Sequence, residues 1–315
     1  MTAPGAAPTA RPERSRAVRV WLQVLLAAVV LAFLTTALVR QWHEFRTIRI
    51  SVHPTPRWLA LSVAIVFVTY LLQVESWRRV LAGWRQRLPR RIAIRAWCLS
   101  NLGRYIPGKV WTVAGLVVVV QRAGVEPWAA AASAVVAQAL ALATGIVAVA
   151  WAVPGIGHAV LLGAALGIVT LLLLAMGSAK LMRLGARILR GADLRPLPLS
   201  AVFGSGLLML AAWVGYGAAF WALARGIGVA GLGLLDAIGL FTAGYIVGWL
   251  VLLAPAGVGA RELTLLSLLT PVVGGGGALT LVVASRLALT ITEAGAAGLG
   301  MLIGGRPTAP FAPPD

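Results

Sequence analysis

The chain has 315 residues, 60% of them apolar and only 11% charged, against about 25% charged in a soluble domain. A surface so poor in charge cannot face water on all sides, which excludes a soluble globular fold. The net charge of +18 would suggest nucleic acid in a soluble protein. Here the arginines flank apolar runs, so their partner is the anionic lipid of a cytoplasmic leaflet and not nucleic acid.

Residues 1–17 read as a disordered cytoplasmic N-terminus. The first apolar run, Val20–Val39, follows Arg11, Arg14, Arg16 and Arg19. It exceeds the roughly 7–15 apolar residues of a signal-peptide core and no small-x-small cleavage site follows it. It is therefore read as an uncleaved anchor. Trp58–Val74 is the second run, and the loop before it, residues 40–57, is placed outside. Arg78, Arg79, Arg85, Arg87, Arg90, Arg91 and Arg95 then form a cytoplasmic cluster with no acid among them.

The segment Ile92–Gln121 holds two short apolar pieces. Asn101, Gly103, Arg104, Pro107, Gly108 and Lys109 break it in the middle. Neither piece reaches the ~20 residues of a spanning helix. A re-entrant hairpin from the cytoplasmic side is expected, with a kinked pair of short crossings as the alternative. Two further runs follow, Trp128–Val153 and Ala159–Gly177. Lys180, Arg183, Arg187, Arg190 and Arg195, opposed only by Asp193, form a second cytoplasmic cluster. A single crossing by Ile92–Gln121 would put that cluster outside, which is why the hairpin is preferred.

Leu199–Leu223 and Leu232–Leu253 come next. Pro255, Gly257 and Gly259 break the chain, and Arg261–Glu262 open a short piece, Leu263–Leu269, ended by Pro271 and residues 274–277. Ala278–Ile303 is the last run, and residues 305–315 are a disordered tail. The runs show no period-2 alternation, which argues against an outer-membrane barrel. The expected fold is an all-α, polytopic membrane helical bundle over residues 18–304. It has about seven spanning helices and one or two re-entrant or broken segments. A diverged internal repeat is an open possibility. The side of the C-terminus is not fixed.

Charges inside apolar segments mark functional candidates. In Asn101-Leu102-Gly103-Arg104-Tyr105-Ile106-Pro107-Gly108-Lys109, Pro and Gly end one helix and start another. The new helix offers free N–H groups and a positive dipole end beside Arg104 and Lys109, a setting for a phosphate. The plain alternative is a cytoplasmic turn whose basic residues snorkel to headgroups. Arg261 and Glu262 repeat the logic after the second break, and Glu262 is free to pair with a distant base. Arg286 and Glu293 lie seven apart, on one face of the last helix, and each is expected to pair across the bundle or line a wet cavity. Their alternative is a structural ion network.

Glu75, Gln138 and Asp236 read as packing or interface residues. Trp42, Trp58, Trp77, Trp128 and Trp151 read as interface anchors. His43, His53 and His158 show no metal spacing. No HExxH, nucleophile elbow, P-loop or paired-Asp motif is present. No cofactor or metal and no enzymatic activity are therefore expected. Glu44, in the first external loop, is the sole weak opening toward a glycosyltransferase.

The string from Asn101 to Trp111, followed downstream by Pro255-Ala256-Gly257-Val258-Gly259-Ala260-Arg261-Glu262, resembles the membrane region of lysylphosphatidylglycerol synthase/flippase proteins. The resemblance covers roughly Val20 to Ile303 and extends to the polar position at Arg286. It implies a flippase-type bundle that moves or holds an anionic lipid headgroup. Full-length synthases carry a cytoplasmic aminoacyltransferase domain. The chain ends soon after its last run, so synthesis of lysylphosphatidylglycerol is not expected.

The resulting expectation is a bacterial inner-membrane lipid translocase. Its anionic lipid is a phospholipid or a polyprenyl phosphate. Asn101, Arg104, Tyr105, Lys109 and Arg261 would bind the lipid phosphate, and Glu262, Arg286 and Glu293 would line the headgroup path or form ion pairs. Arg104→Ala or Arg261→Ala would then abolish transport. The alternatives are a membrane subunit or enzyme of headgroup modification, partnered by a glycosyltransferase or lipid synthase, and a purely structural partner. Oligomeric state is not indicated.

Overall fold

A computed structural model describes residues 54–105, 110–152, 158–178, 196–251, 257 and 259–303. The expected span Val20–Val39, both terminal tails, Glu44, the second basic loop, Pro107, Gly108, Lys109 and Pro255 lie outside the described residues.

Among the described residues there are eight α-helices and one 3-10 turn, with no strand. They are α1 (Pro56–Gly83), α2 (Arg90–Asn101), the 3-10 turn Leu102–Tyr105, α3 (Val110–Gln121), α4 (Pro127–Ala152), α5 (His158–Gly177), α6 (Leu199–Gly226), α7 (Leu234–Leu250) and α8 (Ala260–Ile303). By length and composition, α1, α4, α6 and α8 can each cross a membrane. The 20 residues of α5 and 17 of α7 rise ~30 and ~25 Å, near or just under the hydrocarbon thickness of ~30 Å. The protein is a multi-pass helical membrane protein.

Helix α1 runs antiparallel to α6. The Ser62 hydroxyl donates to Ala219 O at 2.7 Å. One turn-set further on, the Ser76 hydroxyl donates to Ser205 O at 2.9 Å and the Ser205 hydroxyl donates back to Ser76 O at 2.8 Å. Lipid tails offer no hydrophobic drive for helix association, so small residues and short polar bonds of this kind hold such pairs together. Tyr216, Phe220, Phe241, Leu265 and Leu281 centre one core. Trp77, Leu81, Val120 and Ala129 centre a second, between α1, the α2–α3 pair and α4.

Three expectations are corrected here. First, α1 continues past Val74 to Gly83, so Arg78 and Arg79 are helical. The hydrocarbon edge ends the apolar run without ending the helix. Glu75 accepts from Arg78 at 2.6 Å, an i,i+3 pair, and lies 3.5 Å from Arg90, which supports those extra turns. Second, Trp77 is not an interface anchor. It is fully buried, and its indole N–H donates to Ser133 Oγ at 2.8 Å. Third, the pieces Leu263–Leu269 and Ala278–Ile303 are two arms of α8, which stays helical through Pro271 and breaks only at Gly274 (φ 75°). A left-handed φ suits glycine and few other residues.

Helices α2 and α3 pack against each other. At 12 residues each they rise ~18 Å, too little to span, as the broken-segment reading requires. Arm contacts in α8 show a second fold-back. Arg261 meets Ser285 and Glu262 meets Arg286, 24 residues apart in each case. A straight helix would separate them by ~36 Å. Both pairs are centred within a residue of Gly274, so the arms run antiparallel about that glycine.

The ends of the bundle sort by charge. Leu197 and Pro198, directly after the second basic loop, lie against Gly83, at the end that carries Arg78–Arg95. Gly300 lies against Cys98 and Arg95. The last helix therefore ends on that same basic side, which the sequence left open.

Candidate functional site: two buried ion clusters

The first cluster joins the tip of the α2–α3 pair to α8. The helix ends at Asn101 and tightens into the 3-10 turn, which turns Arg104 and Tyr105 inward. Arg104 donates through Nη1 to Glu293 Oε1 at 2.6 Å and through Nη2 to Asn101 Oδ1 at 3.1 Å. The Tyr105 hydroxyl donates to Glu293 Oε2 at 2.6 Å. Both oxygens of a carboxylate that is only 6% exposed are thus matched by short, charge-assisted bonds. Four residues singled out in the sequence meet here, and charge is balanced one to one. Lys109 lies outside the described residues.

The second cluster sits at the start of α8. Gly259 caps the helix, and Glu262, at the third helical position, reaches back to accept the Gly259 N–H at 2.8 Å, the carboxylate half of a capping box. Its other oxygen lies 3.4 Å from Arg286 Nη1 and 3.5 Å from Arg261 Nη1. Gly257 (φ 69°) packs backbone to backbone on Gly248, where a Cβ would stand 2.7 Å from the Gly248 carbonyl oxygen. That close approach sets the helix start against α7.

Arg261 is 3% exposed. Its guanidinium lies over the Phe241 ring, 5.3 Å from the centroid. Nη2 is 3.4 Å from Ser285 Oγ, a long contact. Nε and Nη1 have no hydrogen-bond acceptor. Among the described residues two guanidiniums here face one carboxylate. The other described acids are placed elsewhere: Glu75 with Arg78, Glu293 with Arg104, and Glu126 and Asp236 at helix starts. The sequence from Ala237 to Arg261 contains no further acid.

Helix rise gives the depth of each cluster. Arg286 is 12 residues, ~18 Å, from Gly274 and 14 residues, ~21 Å, from Gly300. Glu293 is 7 residues, ~10 Å, from Gly300. The second cluster is central, and the first lies nearer the basic end. Glu293 pairs with Arg104 of the 3-10 turn, and Arg286 meets Glu262 on the other arm of α8.

The sequence reading missed the aromatic wall beside these clusters. Tyr216 stacks on Phe241 at 5.5 Å and on Tyr245 at 6.3 Å, and Trp213 meets Tyr245 edge-on at 5.3 Å. The signal was the i,i+3 pair Trp213/Tyr216 and the i,i+4 pair Phe241/Tyr245 inside apolar runs. Among the described residues no group of three or more His, Cys, Asp or Glu could hold a metal ion.

Fold-back helices that bring buried charge to the bundle centre define a multi-pass helical membrane protein with broken helices at its core. The chain belongs to the family described as lysylphosphatidylglycerol synthase TM region, whose pattern matches residues 20–294. No curated protein matches the chain.

Proposed function

We propose that this protein binds the phosphate of an anionic membrane lipid at the Glu262 cluster and carries that headgroup across the bilayer. In this reading it is a lipid translocase of a bacterial inner membrane with a cytoplasmic N-terminus, and is not itself an enzyme. The observation that carries the reading is Arg261, a buried guanidinium whose Nε has no acceptor and whose Nη1 is 3.5 Å from a carboxylate oxygen that it shares with Arg286. A buried charge left uncompensated costs several kcal/mol, and an anion at this point would remove that cost. The first N–H groups of α8 and its positive dipole end lie at the same place, which favours phosphate. The family description, which names a lipid, supports a lipid as the bearer of that phosphate.

Arg104 takes a different role in this proposal. With Asn101 and Tyr105 it anchors the α2–α3 pair to Glu293, so it positions the path and leaves phosphate binding to Arg261. A second reading, a subunit of headgroup modification beside a glycosyltransferase or lipid synthase, is favoured by the word synthase in the family description.

The test is reconstitution in liposomes with labelled phosphatidylglycerol and, separately, a labelled polyprenyl phosphate. Wild-type protein moves one of them, and Arg261→Ala loses the movement while its unfolding midpoint holds. Normal movement by Arg261→Ala would sink the assignment. If the wild type moves neither lipid, the subunit reading replaces it.

A further inference from the structure

All four tyrosines of the chain, Tyr70, Tyr105, Tyr216 and Tyr245, gather round the Arg104–Glu293 pair. Tyr105 donates its hydroxyl to Glu293 Oε2 at 2.6 Å. Tyr70 of α1 and Tyr216 of α6 lie in the field of both Glu293 and Arg104, and Tyr245 of α7 lies beside Arg104. Tyr70 meets Tyr216 edge-on at 6.3 Å, and Tyr216 stacks on Tyr245 at 6.3 Å. Arg286, two turns earlier on α8, is held at Glu262. Tyrosine and arginine carry their protons at neutral pH. Glu293 is the one carboxyl in this group, among the described residues, and so the member with a place for another proton.

Both donors to Glu293 come from one element, the 3-10 turn at the α2–α3 tip. Movement of that turn away from α8 withdraws them together. Glu293 stays behind, buried on a spanning helix. A carboxylate left there without its cation is strongly disfavoured, and such a group neutralises by taking a proton. The scaffold holds a partner for the neutral acid. The Tyr70 hydroxyl is buried, has no hydrogen-bond partner among the described residues and lies beside Thr292 and Glu293. Its oxygen can accept from a carboxylic O–H, a donor that the paired carboxylate does not have. The Arg104 side chain is 25% exposed against 6% for Glu293, so the cation, and not the acid, is the partner with access to the outside of the bundle.

We propose that Glu293 is a proton-binding site, and that proton uptake there releases the α2–α3 tip from α8. The proton and Arg104 compete for one carboxylate. The fastened form holds the ion pair, and the released form holds Glu293 as a neutral acid bonded to Tyr70, with Arg104 turned away. The released form binds one proton more than the fastened form. A fall in pH therefore favours release, and a rise in pH restores the fastening. The linkage is reciprocal, so whatever moves the tip also moves a proton. Glu293 lies ~10 Å along the helix from Gly300, at the basic end of the bundle, and the proton is exchanged with that side. The inference does not depend on what Arg261 binds.

The experiment uses the full chain in nanodiscs. Cys98 is the sole cysteine and is buried on α2 against Gly300 of α8, so its reaction with dithiodipyridine reports separation of the two elements. Each rate is divided by that of the detergent-unfolded chain at the same pH, which removes the thiol's own pH dependence. From about pH 8 to about pH 5 the normalised rate is expected to rise about tenfold. Glu293→Gln holds the neutral form at every pH and should label fast throughout, with no pH dependence. Infrared difference spectra over the same range should show a carboxylic-acid band in the wild type that Glu293→Gln lacks. The wild-type rate and spectrum do not depend on any variant folding. A flat wild-type rate overturns the release. A pH-dependent rise or an acid band that persists in Glu293→Gln assigns the proton to another group and overturns the site. Tyr70→Phe should move the labelling midpoint to lower pH, because the neutral acid loses its acceptor, and an unmoved midpoint overturns that role for Tyr70.

Discussion

The two ion clusters use the same chemistry, Arg against Glu on α8, and reach opposite states. At Glu293 each carboxylate oxygen has its own donor at 2.6 Å. At Glu262 one oxygen caps the helix and the other is divided between two arginines at 3.4 and 3.5 Å. The difference is one of stoichiometry. One cluster is closed and neutral, and so holds two elements together. The other, among the described residues, sets two arginines against one carboxylate, the imbalance that the proposed phosphate would fill. A buried charge is therefore best judged by whether its partners are complete, since burial alone does not separate a fastening from a binding site.

The sharpest way to break this contrast is to remove a partner from the closed cluster. Arg104→Ala leaves the Glu293 carboxylate buried without its cation and is expected to cost about 3–5 kcal/mol of stability, read as a large drop in the unfolding midpoint in detergent. Replacing both residues, Arg104→Met with Glu293→Leu, should recover most of that loss. A single variant as stable as wild type would remove the fastening role.

Arg261→Ala should behave in the opposite way. Stability holds or rises slightly, because a surplus charge is gone. Binding of a phosphate-headed lipid falls by about 2 kcal/mol, the scale of a charge-assisted hydrogen bond, or roughly thirtyfold. Native mass spectrometry of protein–lipid complexes measures it, and unchanged binding would show that the surplus cation has no ligand.

Tyr105→Phe tests the closed cluster more finely. It deletes one bond to a charged acceptor, for a loss of about 1.5 kcal/mol with lipid binding unaffected. The smallest effect is expected from Glu262→Gln. The amide can still accept the Gly259 N–H, while the surplus positive charge grows. Phosphate-lipid affinity should rise a few fold, and a fall would mean that Glu262 orients the arginines more than it neutralises them.

Much of this was legible in the sequence. Apolar runs bounded by arginine gave the membrane bundle, and Gly and Pro inside such runs gave both broken segments. Asn101, Arg104, Tyr105, Arg261, Glu262, Arg286 and Glu293 stood out because charge and hydrogen-bonding groups are rare in those runs. What the sequence could not supply was who meets whom. Glu293 lies 189 positions from Arg104, and no local spacing links them. The fold-back at Gly274 was hidden for another reason. Four glycines in a row, at positions 274–277, read as the end of a short apolar piece, while only the first leaves helical geometry. Trp77 was misplaced because a tryptophan near the end of an apolar run looks interfacial until Ser133 of another helix is found beneath it.

The fold-back also has a bearing on how the chain enters the bilayer. The arm from Ala260 to Gly274 is too short to be recognised as a span, and it begins with two charges. On its own it would be left at the membrane surface. It can be delivered to the bundle centre only together with the arm that follows, whose Arg286 and Ser285 receive those charges. Assembly of this region is then a late, concerted event: a nascent chain halted at Gly274 keeps Arg261 in water, and extension to Ile303 draws it in.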